Sequence, residues 1–406
     1  MHYGALLLIV ALAALGAGCA SVANPQGWAP PDVVEGTLYA SIETGKMAAL
    51  DPDDLSVKWV FPSNDDEDQF DLEGIYGTPI VDGGFVYFGA YDGNVYALNE
   101  EDGALRWAFE TSDPVIGSLT LEGATLYAGS SDGLLYAIDT SACTNSCPLS
   151  AALTFDTGSS IWAAPLLSGD IIYVPAMDGR LHALKAETLE PVDGFSFEGN
   201  AGLLMDPTLA NDDTLLTGGI DNKLYALDPA TGSEKWSFEG GNWFWGSPLV
   251  DGETVYAADL DGNVHALSVS DGNPVWSDPF QTDSPIRSAP LLAGETLIVV
   301  DRRGNAYGLD PKDGTQQWGP TLLDKTVLSD PVLLDVATSP GNTDSSPSAT
   351  PNEESPAPTE EPSPTEAAGG NAAVEVLIMA QGGDLCRIDP TDGSPLAQPP
   401  CVEVPL

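Results

Sequence analysis

Positive charge is scarce in this chain. Its 406 residues hold 13 Lys and Arg against 61 Asp and Glu, a formal net charge of −48. Such a surface repels phosphate backbones, which excludes a nucleic-acid binder, and it repels anionic lipid headgroups as well. The acids are dispersed rather than blocked, so the surplus reads first as solubility and second as attraction for cations or a basic partner. Histidine is rarer still: His2, His182 and His265. None adjoins a cysteine and no C-x-x-C occurs, so a zinc site lacks its ligand set. Long apolar runs are missing too. The longest, Ala5 to Leu15, is too short to span a bilayer comfortably.

That run has the place and length of an export signal. It continues as Gly16-Ala17-Gly18-Cys19, which resembles the bacterial lipobox. The resemblance implies a signal peptide over 1–18, a lipid on Cys19 as the mature N-terminus, and a linker over 19–30. Ordinary cleavage after Ser21-Val22-Ala23 is the alternative. Either route takes the protein out of the cytoplasm, lipid-anchored at the membrane or envelope in the first case and secreted in the second. The other four cysteines suit an oxidising compartment. Their positions suggest local pairs, Cys143 with Cys147 and Cys386 with Cys401.

The rest of the chain repeats. Ser247 to Leu267 holds three short apolar stretches separated by Asp251-Gly252 and Asp261-Gly262, and a fourth carries Trp276. Glycine accepts positive φ without steric cost, so such turns join antiparallel strands. The third stretch recurs with Leu50, Leu98, Ile138, Leu184, Leu227, Leu267, Leu309 and Ile388 in phase, at intervals of 40 to 48 residues until the last, which is 79. That last interval holds a Pro-, Ser-, Thr- and Glu-rich insert over 338–372, too poor in apolar residues to fold. It is expected to be a disordered loop; a glycosylated or partner-binding loop is the alternative. Eight four-stranded units of this period predict an all-β fold, an eight-bladed β-propeller over 31–406.

Ala226-Leu227-Asp228-Pro229-Ala230-Thr231-Gly232-Ser233-Glu234-Lys235-Trp236 resembles the tryptophan-docking motif of the quinone-type (PQQ-like) propeller repeat. The same spacing leads to Trp107, Trp276 and Trp318, and to Trp59 with Leu55 at the glycine position. In this reading the small residue leaves room for the tryptophan of a neighbouring blade. The third unit is interrupted between Cys143 and Cys147, the fourth lacks the tryptophan, and the eighth has Ala397 in its place.

Two functional signals remain. Asp259-Leu260-Asp261-Gly262-Asn263 hints at a calcium loop but lacks the closing Glu, so a hairpin turn is expected. Three residues before the proline, or its equivalent, that opens each new blade stand Tyr76, Ile116, Trp162, Leu204, Trp245, Arg287 and Leu328. In propellers of this family such links encircle the channel. Tyr76, Trp162, Trp245 and Arg287 are therefore expected at one funnel mouth, as a surface for a protein partner or a small ligand, or else packed between blades. With an exported leader and eight such repeats, the chain is closest in character to the BamB-like lipoproteins of outer-membrane barrel assembly. This implies a non-catalytic, monomeric binding scaffold without cofactor or metal. A receptor or sensor propeller is the runner-up. A quinone-dependent dehydrogenase is disfavoured, because the chain lacks the adjacent Cys-Cys pair and the C-x-x-C-H signature of those enzymes.

Overall fold

The computed structural model describes residues 27–42, 45–63, 69–211, 213–336 and 373–404. The leader, Cys19 and the 338–372 insert lie outside the described residues. Eight four-stranded antiparallel sheets follow one another along the chain, over 32–61, 80–110, 120–156, 166–198, 208–239, 249–281, 291–322 and 332–403. Each is a blade built from consecutive strands, so none borrows a strand from another. The only helical turns among the described residues are single 3-10 turns at Thr140–Ala142 and Leu149–Ala151. No described helix is long and apolar enough to cross a membrane.

Blade six shows the local logic. Its strands are Leu249–Asp251, Thr254–Ala258, Asn263–Ser268 and Phe280–Gln281, paired in simple meander order. Val255 faces Leu267 and Tyr256 faces Ala266 across the central pair. Successive side chains point to opposite faces, and here both faces are buried. Each face packs against a different blade. The hydrophobic clusters accordingly sit between blades, one for each junction around the ring. Leu38, Ala40 and Ile42 of blade one meet Leu377, Met379 and Leu385 of blade eight. The ring thus closes without a shared strand, by this packing and a bond of 3.1 Å from the Arg387 guanidinium to the Asp53 carbonyl.

The tryptophans correct one detail of the sequence reading. The small residue of the motif faces its own blade's tryptophan, as Ala49–Trp59, Ala97–Trp107, Ala226–Trp236 and Gly308–Trp318 pairs across the third and fourth strands. The indole reaches forward to the next blade and covers the glycine of its third-to-fourth turn. A Cβ on Gly103 would lie 2.5 Å from the Trp59 ring, and one on Gly272 would lie 2.6 Å from Trp236. Gly314 and Gly393 meet Trp276 and Trp318 in the same way. The indole N–H of Trp59, Trp236, Trp276 and Trp318 donates to a carbonyl of that turn, that of Glu100, Val269, Pro311 and Pro390.

Two of the three missing tryptophans are matched by a change in the next blade; the third, in blade four, is not, since blade five keeps Gly232, which faces the Ser196 backbone. Blades three and eight lack the tryptophan, and the blades that follow them carry Leu189 and Leu55 at the turn-glycine position. Both leucines are buried, and both hold a positive φ, 56° and 60°. Leucine pays for that left-handed backbone by filling the space left by the absent indole. Trp107, in turn, packs on the Cys143–Cys147 loop of blade three. Both expected disulfides are present, with Cα separations of 4.4 Å for Cys143–Cys147 and 3.9 Å for Cys386–Cys401. The second joins directly paired residues of the last two strands.

Candidate functional site

Each link from a fourth strand to the next first strand is tied to the neighbouring hairpin between strands two and three. The amides of Tyr91, Ser131, Met177, Ile220, Leu260, Arg302 and Gln381 donate to Gly74, Pro114, Ser160, Gly202, Trp243, Pro285 and Thr326. Links and hairpins therefore share one face of the propeller. Antiparallel alternation puts the other two turns of each blade, and the ends flanking the insert, on the opposite face.

The links converge on a cavity of about 120 Å³ at the centre of that face. All seven ring positions line it, including Tyr76, Trp162, Trp245 and Arg287. An eighth, Trp28, completes the ring and was missed by the sequence reading. Its signal was available: Trp28 stands three residues before Pro31, as Trp162 does before Pro165 and Trp245 before Pro248. Assigned to a linker, Trp28 is instead fixed in the propeller. Its amide donates to Ile75 at 3.0 Å and its ring meets Tyr76 edge-on at 4.4 Å.

The aromatic residues are neither fully buried nor free. Trp162 is 37% exposed, while Tyr76, Trp245 and Arg287 are half-buried. In the run Trp243-Phe244-Trp245, Phe244 is core, Trp243 is exposed and Trp245 faces the cavity. The Arg287 guanidinium lies 4.4 Å from the Trp245 ring centre and 5.8 Å from that of Trp28. Both contacts are cation–π interactions. Burial and the neighbouring Arg302 charge lower the Arg287 pKa.

Beneath the aromatic ring runs a ring of latches. The amide of Ala164 donates to the Asp206 carboxylate at 2.7 Å, and that of Ala289 donates to Asp330 at 2.6 Å. Thr78 makes the same bond to the Ser118 hydroxyl at 2.9 Å. Each bond joins one blade to the next. Burial pushes the Asp206 carboxyl up to about 6; the Ala164 amide pulls it down and the Asp330 charge pushes it up again. Asp330 is raised by burial against the pull of the Ala289 amide.

Other motifs resolve into turns. Asp259 is fully buried and accepts from the amides of Gly241, Asp261 and Asn263, the Asn263 side chain and the His265 ring. Burial alone would raise it, but these bonds hold its pKa below the usual range. Its donors are all protein groups, as in a hairpin. Gly129-Ser130-Ser131-Asp132-Gly133 has the spacing of a hydrolase nucleophile elbow, yet it forms a strand-to-strand hairpin. The His265 ring nitrogen is engaged by Asp259, and His182 Nε2 has no partner. Neither histidine serves Ser131 as a base.

The chain matches the profile of the family described as outer membrane protein assembly factor BamB over residues 69–188 and 151–340. The protein of that name from Burkholderia pseudomallei (strain K96243) is 30% identical over 138 residues, which is 30% of this chain and 36% of that protein. The matched stretch therefore spans about a third of that relative's length. The crystal structure of BamB from Moraxella catarrhalis superposes with a TM-score of 0.63 at 17% identity, covering 88% of this chain and 92% of that one. The computationally designed Ika8 protein gives 0.64 at 13% identity, covering 90% and 96%. At these identities the two structures speak for the fold.

Proposed function

Because the chain belongs to the family of the outer membrane protein assembly factor BamB, we propose that it is a non-catalytic, extracytoplasmic binding scaffold that docks a protein partner on its funnel face. A lipid on Cys19 would hold it at the membrane. One observation carries the docking face: Tyr76, Trp162, Trp245 and Arg287, from four different blade junctions, line a single open cavity with Trp28. Aromatic residues and arginine are the types that dominate binding energy at interfaces. The cavity volume, about 120 Å³, suits an inserted side chain; pockets that enclose whole organic ligands or cofactors are typically about 300–1,000 Å³. This favours docking over catalysis, and over the receptor alternative.

The experiment places photo-crosslinkers at Trp162 and at Asp251, in a turn of the opposite face, in the membrane-bound protein. A partner captured from Trp162 and not from Asp251 supports the reading. Capture from Asp251 alone overturns it. Cys19→Ser should move the protein from the membrane to the soluble fraction. Tight binding of pyrroloquinoline quinone with dye-linked alcohol oxidation would refute the non-catalytic assignment.

A further inference from the structure

Five of the 13 basic residues of this acidic protein sit in ion pairs. Lys185 pairs with Glu190, Lys235 with Asp213, and Lys325 with Asp384. Arg180 pairs with Glu198, and Arg387 with Glu375. Arg287, Arg302 and Arg303 make no ion pair and no side-chain hydrogen bond among the described residues, a state they share with Lys223 and Lys312 elsewhere on the ring. The three arginines belong to blade seven and its entry link, on the funnel side. Arg287 and Arg302 are close enough to repel each other. Arg287 and Arg302, two neighbouring cations without an ion pair in a chain with 61 acids, make an arrangement that the fold does not require.

We propose that Arg287, the one basic residue lining the cavity, receives a carboxylate carried by an acidic, otherwise apolar peptide segment of the partner. The inference rests on the docking reading of the funnel face. The Arg287 guanidinium carbon lies over the rings of Trp245 and Trp28, and neither ring offers a hydrogen-bond acceptor in the form of a carboxylate. The guanidinium N–H donors lie in its plane, along the edge, and that edge is the fork that binds a carboxylate with two parallel hydrogen bonds. The cavity has room for a side-chain carboxylate and its stem. Tyr76 and Trp162 provide apolar surface for the residues on either side. Asp206 and Asp330 line the same cavity, each with one oxygen held by a backbone amide. They keep an incoming anion off their part of the wall and direct it to Arg287. They also define the competing outcome, a cation seated on the carboxylates within an aromatic cage.

The test uses the full-length protein and three capped tripeptides: acetyl-Leu-Glu-Phe-amide and its Gln and Lys counterparts. At about 0.15 M salt the screening length is about 8 Å, which mutes the outlying acids but not a direct contact. Binding is read from the indole resonances of Trp28, Trp162 and Trp245. The Glu peptide should bind at least about tenfold more tightly than the Gln peptide, the size of one charge-assisted contact of about 1.4 kcal/mol or more. Arg287→Gln should abolish that preference, and Arg302→Gln should reduce it with the melting temperature unchanged. Equal binding of the Glu and Gln peptides, tighter binding of the Lys peptide, absence of binding, or a preference that survives Arg287→Gln would each overturn the proposal. If crosslinking from Trp162 still captures a partner in that event, the docking face stands and only its anion preference falls.

Discussion

Replacing Asp206 by Asn should stabilise the protein at neutral pH and do almost nothing in acid. The folded carboxyl titrates near 6, against an ordinary value of 3.8. A raised acid favours its protonated form in the folded state. Its contribution is therefore fully present below about 3.8 and is lost as pH rises through about 6. The rise from 3.8 to about 6 corresponds to ~3 kcal/mol. Asparagine keeps an oxygen for the Ala164 amide, so the latch of 2.7 Å survives while the buried charge goes. Urea unfolding at fixed ionic strength, at half-unit steps from pH 4 to 8, gives the difference curve between variant and parent. That curve should start near zero, climb between about pH 4 and 6, and level off near 3 kcal/mol. Asp330→Asn removes the charge that helps raise Asp206, so in that background the climb should start at the same pH, end at a lower pH and level off at a smaller difference. A flat difference curve would refute the reasoning, and so would an Asn variant less stable than its parent at every pH.

Three further outcomes follow from the blades. Trp236→Ala should cost about 3–5 kcal/mol in denaturant midpoint experiments, as for other buried tryptophans. Trp236→Phe should lose about 1 kcal/mol for the missing bond to Val269, and Gly272→Ala should also destabilise, since a Cβ there meets the same ring at 2.6 Å on a backbone of φ +70°. His182 has its pKa lowered by burial, and its Nε2 lacks a partner. The unfolded chain therefore gains a proton first as pH falls below about 6.5, and stability drops there; His182→Tyr should flatten that drop in melts from pH 7.5 to 5, with a hydroxyl in reach of Asp178 as Tyr96 is of Asp92. Replacing Cys386 and Cys401 together by Ser should cost about 3 kcal/mol, the chain-entropy value for a loop of about 15 residues, and non-reducing peptide mapping should find that pair linked.

The blades were legible because the fold needs the same thing eight times. Wherever a strand lies between two neighbouring blades it must be apolar on both faces, so Leu50, Leu98, Leu227 and Leu267 recur in phase and are all buried. Turn glycines mark the strand ends with equal regularity. What escaped was relational. Leu55 looked like a damaged motif. It is the partner of a tryptophan missing from blade eight, two segments that lie at opposite ends of the chain and meet only on ring closure. Trp28 precedes the first strand, so it looked like linker. The direction in which each indole leans, forward onto the next turn, depends on the angle between blades, and no single repeat encodes that angle.

The funnel positions behave differently from the rest of the repeat. The buried third-strand position is Leu or Ile in all eight blades, and the ring position is Trp, Tyr, Ile, Trp, Leu, Trp, Arg and Leu in chain order. Geometry alone cannot explain that scatter, since all eight side chains line the same cavity at equivalent points. If plugging the channel were the only requirement, any apolar residue would satisfy every position, and Arg287 would bury part of a charge for nothing. Instead the arginine lies over the Trp245 ring, Trp28 enters from before the first blade, and Asp330, whose charge raises Asp206, stands in the same chamber. The blades repeat because they must support one another. On the proposed docking reading, the ring varies because its requirement comes from what enters the funnel, and the tripeptide series tests that reading.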